Sequence, residues 1–208
     1  MFENKSIILN LIVQNRGKIF LLLAFLVIGC IVGITVSNLI DIEIKNELLG
    51  YIQSSNESIL NGEHIPNNYD IAISTIYDIF IYFILIIVLG CSVIFSPLIY
   101  LVMAYKGFSM GITISFLIML LGNVKASIYA LISMLLPNVI LIIAIIVLSI
   151  TWLKFAKDIL KNREIYNLKK TICSKVVFST FVLVSSIIIL IPIQILVNNV
   201  LNKYITII

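Results

Sequence analysis

Residues 19–40 read IFLLLAFLVIGCIVGITVSNLI, a stretch of 22 positions without a charge. The hydrocarbon core of a bilayer is about 30 Å thick and an α-helix rises about 1.5 Å per residue, so about 20 apolar residues cross it. Four more apolar runs follow, at about 79–104, 106–123, 126–153 and 176–200. The third is short, with its apolar part at 108–121, and needs its flanks to cross. Hydrophobic residues make up 61% of the chain and charged ones 12%, with a mean hydropathy of +1.17. A soluble domain carries roughly a quarter charged residues. The fold class that follows is all-α: a polytopic membrane bundle of five transmembrane helices, one integral membrane domain over 1–208 with the lipid bilayer as its solvent. A net charge of +4 leaves no footprint for nucleic acid.

Orientation follows from the placement of Lys and Arg. Lys5, Arg16 and Lys18 precede the first run. Between the first and second stand Asp41, Glu43, Glu47, Glu57, Glu63 and Asp70, with Lys45 the only base. Lys106 falls between the second and third runs, and Lys125 between the third and fourth. Between the fourth and fifth come seven bases from Lys154 to Lys175. Five crossings with the N-terminus inside and the C-terminus outside keep the basic clusters inside and the acidic segment outside. A re-entrant third run, weakened by Gly107, Gly111 and Gly122, would export the seven-base cluster against that bias. Lys106 is expected to snorkel to the inner interface. The first run reads as an uncleaved signal-anchor, because its apolar core is too long for a signal peptide and no small-residue cleavage site follows it. Tyr77, Tyr82 and Tyr204 are expected at the outer interface, and Tyr100, Tyr105 and Trp152 at the inner one.

Two polar segments remain. In the external acidic segment, 41–78, Leu48, Leu49, Ile52, Ile59 and Leu60 recur at helical spacing. That pattern reads as amphipathic helix, either a cap over the bundle or a contact for an external partner. In the cytoplasmic basic segment, 154–175, Phe155, Ile159, Ile165 and Leu168 fall near one face. Its bases suit anionic head groups, at about 1 kcal/mol per cation near the surface.

Catalytic equipment is missing from the sequence. His64 is the only histidine and has no metal-ligand neighbours at a suitable spacing. No acid stands within an apolar run; Asp78 is expected at the outer mouth of the second. Ser92, Ser96, Ser115, Ser133 and Ser185 have no base at membrane depth. Back-bonding to the helix is their expected role. No glycine-rich phosphate loop occurs. The expectation is a protein that is not an enzyme, with no cofactor and no metal. Ion coupling usually leaves ionisable groups in the spans, and none is expected here. Cys30 and Cys91 are expected to be buried as small hydrophobes, and no structural disulfide is indicated.

Prolines and glycines shape the runs. Pro97, Pro137 and Pro192 each read as a kink within a span. Asn138 follows one of them directly, and Gln194 lies just beyond another. Gly29 with Gly33, and Gly107 with Gly111, form small-xxx-small pairs that let helix backbones approach, either within the bundle or across an oligomer contact. One function class these features leave open is a permease or channel subunit with a groove around Pro137 and Asn138, bordered by Thr113 and Ser133.

The residues 89–145 also carry a resemblance. Leu89-Gly90-Cys91-Ser92, Pro97, the stretch Lys106-Gly107-Phe108-Ser109-Met110-Gly111-Ile112-Thr113, then Phe116-Leu117, Gly122 and Leu136-Pro137-Asn138 resemble the stage II sporulation protein M family. Chain length, five-run layout and loop charges agree with it along the whole chain. One departure is Pro137-Asn138-Val139 where the family tends to show Pro-Gln-Asn. The resemblance implies a non-catalytic component of endospore engulfment in the septal membrane around the forespore. It implies an anchor or recruiter in a peptidoglycan-remodelling complex, with stage II sporulation proteins P and D as partners that do the cutting. Gly90, Pro97, Lys106, Gly107, Phe108, Gly111, Thr113, Pro137 and Asn138 are the family-motif positions and candidate helix contacts.

Overall fold

The computed structural model describes the backbone of residues 15–41, 43–44, 46–47, 50, 68–121, 124–161 and 168–205. Five helices carry it: α1 (Arg16–Leu39), α2 (Asn68–Cys91), α3 (Ile99–Leu121), α4 (Val124–Lys161) and α5 (Leu168–Ile205). Each is long and apolar enough to cross a membrane. Among the described residues there is no strand. The choice of helix is forced. Lipid offers no partner for a backbone N–H or C=O, so each must be satisfied within its own segment. Side-chain hydroxyls meet the same constraint. Ser96 Oγ donates to the Val93 carbonyl at 2.9 Å, and Ser185 Oγ to Phe181 at 2.8 Å. Large apolar side chains such as Phe20, Val88, Phe181 and Ile188 point outward, as a lipid solvent requires.

The second and third helices do not have the expected bounds. The sequence places one span at 79–104 and the next at 106–123, with Lys106 between them. The chain instead breaks at 92–98, between two helices that begin and end earlier. Ser96 N–H donates to the Ser92 carbonyl at 3.0 Å, and Leu98 N–H to Phe95 at 2.9 Å. A short 3-10 turn, Ser96–Leu98, then leads into α3 with Pro97 near its start. Proline suits that position because its missing N–H would be unpaired there anyway. Pro97 therefore opens a helix instead of kinking one, while Pro137 and Pro192 do lie inside helices. Residues 68–78, assigned to the external loop by sequence, form the first turns of α2. The basic segment is likewise helical in part, with 154–161 ending α4 and 168–175 beginning α5.

The α1–α3 seam is built on glycine. A Cβ on Gly29 would collide with the Ala104 carbonyl, and one on Gly33 with the Phe108 carbonyl. From the other side, a Cβ on Gly107 would meet the Leu26 carbonyl, and one on Gly111 that of Cys30. The two small-xxx-small pairs thus face each other. Positions rise together along both helices, so the pair is parallel. The seam is an internal contact of the described chain, and α1 touches little else.

The remaining helices share one core. Ile79, Phe83 and Ile86 of α2, Ile99 and Met103 of α3, Ile145 and Leu148 of α4, and Leu190 of α5 are buried together. Trp152, expected at the interface, is 0% exposed. Its Nε1 donates to Ser179 Oγ at 3.0 Å, which donates onward to the Lys175 carbonyl at 2.8 Å. Gly90 makes room for the indole, because a Cβ there would stand 2.5 Å from Trp152 Cβ. A buried indole N–H needs a partner, and α5 supplies it. Tyr82 is also buried, whereas Tyr77 and Tyr105 are exposed as interfacial rings would be. Cys91 is exposed instead of buried.

Gly29→Ala and Gly107→Ala should each cost about 1–3 kcal/mol, because a backbone carbonyl cannot swing aside as a side chain can. Gly17→Ala meets nothing within 4 Å and should be neutral or slightly stabilising. Melting curves of the three variants in one detergent measure the difference.

Candidate functional site

Lys106 is a lone cation in the middle of an apolar helix. It stands ten residues from either end of the crossing stretch Ser96–Phe116, about 15 Å from each by helix rise. Only 7% of it is exposed. Met103 and Met110, one turn to either side, are buried on the same face. The Lys106 ammonium lies 5.1 Å from the centroid of the Tyr82 ring on α2, a cation–π distance.

Lys106 lines a cavity of about 90 Å³ built by four helices. From α2 come Thr75, Asp78 and Ile79; from α4, Pro137, Asn138 and Leu141; from α5, Leu190 and Gln194. Asp78 is exposed and stands at its mouth. It occupies the middle of α2, not a helix end. Thr75 Oγ1 donates to the Ile71 carbonyl at 2.7 Å, which leaves its oxygen an acceptor. Thus the expectation of spans free of ionisable groups is overturned. A cation and a carboxylate share one space within the crossing helices, with two amides beside them.

The two prolines explain why the polar groups converge here. Each removes a backbone N–H and disturbs its helix. Asn138 follows Pro137, and Gln194 lies two residues beyond Pro192, on helices that pack against each other. Polar side chains are tolerated in lipid where such a break lines a cavity.

Other sequence-selected positions lie elsewhere. Gly107 and Gly111 serve the α1 seam, together with the Phe108 carbonyl. Gly90 accommodates Trp152. Pro97 sits in the turn before α3. Thr113 is exposed and back-bonded to Ser109 at 2.8 Å, outside the cavity. Of the nine motif positions only Lys106, Pro137 and Asn138 meet there. Leu48, Leu49, Ile52, Ile59, Leu60 and His64 lie outside the described residues. Among the described residues, no three His, Cys, Asp or Glu side chains gather as a metal site would require. Asp78, Thr75 and Tyr82 were missed as site residues. The signal for Asp78 was its spacing: Thr75, Asp78 and Tyr82 recur every three or four residues on one helical face.

At one end of the bundle Lys18 lies near enough to Lys154, Lys157 and Asp158 to feel their charge. The start of α1 and the end of α4 are therefore neighbours. A second, apolar groove runs between α2 and α3, which touch only sparingly. Ile81, Leu85, Leu89, Leu98, Leu101 and Tyr105 line it, around a space of about 300 Å³.

The sequence profile of the family described as Stage II sporulation protein M matches residues 21–197. The chain belongs to that family. No curated protein and no solved structure matches it. The matched region includes every residue of the Lys106 cavity, both glycine pairs and the Trp152 contact. As a member of the stage II sporulation protein M family, this is a multi-pass sporulation membrane protein.

Removing one charge from the cavity strands the other in a medium of low dielectric. Lys106→Met and Asp78→Asn should each destabilise more than the double variant, with a coupling of about 1–3 kcal/mol. A double-mutant cycle of unfolding in detergent reads this directly.

Proposed function

We propose that this protein is a non-catalytic anchor of endospore engulfment, which recruits peptidoglycan hydrolases to the septal membrane around the forespore. Membership of the stage II sporulation protein M family carries the reading. Stage II sporulation proteins P and D are the proposed partners, and they do the cutting. The basic end of the bundle, with Lys18, Lys154 and Lys157, faces the cytoplasm under the positive-inside bias. The N-terminus then lies inside, the C-terminus outside, and the acidic residues from Asp41 to Glu63 face the wall that the hydrolases act on.

Two surfaces receive the partners. One is the external segment around Leu48 to Leu60. The other is the apolar α2–α3 groove, whose size and lining suit the side chains of a partner's membrane helix. Lipid fills the groove when no partner is present, so recruitment exchanges one apolar neighbour for another. Affinity then depends on shape, which small changes in the groove should disturb.

A second reading, a permease or channel subunit, draws support from one observation: the polar cavity around Pro137 and Asn138 also holds Lys106 and Asp78. Intramembrane charges commonly mark the path of a solute. Flux through reconstituted vesicles above that of empty lipid would favour it over the recruiter.

Tagged protein solubilised from sporulating cells should bring down peptidoglycan hydrolases. Deleting residues 42–67, or filling the groove with Leu85→Trp, should lower that recovery at least several-fold. The groove variant should leave the melting temperature close to that of the parent. Full recovery with both changes combined counts against the recruiter.

A further inference from the structure

The cavity holds one cation and one anion, and this balance defines what it can accept. Lys106 is more than nine-tenths buried and contributes an ammonium group, backed by the Tyr82 ring. Asn138 and Gln194 bring amide groups to the same space, and Thr75 brings an acceptor oxygen. Asp78 supplies a carboxylate at the mouth. Charged groups away from water are costly unless they are paired. A purely anionic ligand would leave the filled site with a net negative charge, and a purely cationic one with a net positive charge. A dipolar ligand leaves it neutral while giving both the buried ammonium and the carboxylate at the mouth a partner.

We propose that the cavity binds a small zwitterion, a molecule with a carboxylate and an ammonium group a few atoms apart. Its carboxylate meets Lys106 and the amide donors of the two proline-disturbed helices. Its ammonium group meets Asp78 and the Thr75 oxygen. The cavity, about 90 Å³, admits a molecule of only a few heavy atoms, in the range of the smallest amino acids. Binding requires no flux and no partner protein, so the inference rests on neither the recruiter nor the permease reading.

The full-length protein in lipid nanodiscs provides the test. Its melting temperature is recorded with glycine, alanine, acetate or methylammonium at matched ionic strength. Glycine or alanine should raise it saturably by about 2–4 °C, the size of shift that about 1 kcal/mol of linked binding produces. Acetate and methylammonium, each carrying half of the ligand's charge pattern, should do markedly less. The charge-balanced double variant, Lys106→Met with Asp78→Asn, should still melt cooperatively but lose the response. Three results overturn the proposal: no shift with either amino acid, an equal shift in the double variant, or an equal shift with acetate alone. The last would assign an anion site instead. Binding without flux would retain this site and remove only the permease reading.

Discussion

A charge within a membrane helix must be shielded from lipid, and the four-helix cavity of this bundle shields Lys106. Transfer of such a group to the middle of a membrane helix costs about 2.5–3.5 kcal/mol even on the most lenient scale. The cost falls when the cation shares its space with an aromatic face, a carboxylate and amides, and three other helices supply these. Tyr82 and Asp78 come from α2, Asn138 from α4 and Gln194 from α5. No single helix could provide that set, because one face offers only a polar position every three or four residues.

Helix α3 does two jobs on two faces. Gly107 and Gly111 press against α1, while Met103, Lys106 and Met110 turn toward the other helices. Position 106 lies about 100° around the helix from position 107 at 3.6 residues per turn, so adjacent residues serve different neighbours. This explains why α1 packs so exclusively on α3. Its backbone lies flush against that helix and keeps lipid off the face next to the charge. The glycine seam and the polar cavity are therefore coupled through a single rigid element. A wider α1–α3 spacing would admit lipid tails beside the segment that holds Lys106.

Five membrane helices and the family were legible in the sequence, because about 20 apolar residues in a row leave few alternatives and the motif stretch is distinctive. The break between α2 and α3 was not. Hydropathy measures the cost of transfer, and Ser92-Val93-Ile94-Phe95-Ser96-Pro97 is nearly as apolar as the helices it joins. Lys106-Gly107 looked more like a loop, since it combines the one charge with a helix-weakening glycine. The error took Lys106 from the centre of a buried site to an interfacial anchor. It also displaced Asp78 from mid-helix to the membrane surface. The Ser96-Pro97 pair held the correction, because serine before proline favours turn initiation over a kink. The glycine pairs were visible as motifs, but only the structure joins Gly29 and Gly33 to the helix that carries Gly107 and Gly111.

The two proline-bearing helices show how packing and chemistry meet. Away from the cavity, α4 and α5 are locked by the Trp152 indole and the Ser179 hydroxyl, with Gly90 of α2 beneath the ring. From Trp152 to Asn138 is about 21 Å along α4, which puts the locked layer and the cavity at separate levels. At the level of the cavity, Pro137 and Pro192 weaken the same pair of helices. The indole contact thus fixes α4 against α5 at one level, and the polar groups meet at another. Small changes in the spacing of Asn138 and Gln194 then alter how well the buried lysine is satisfied, while the indole contact stays closed.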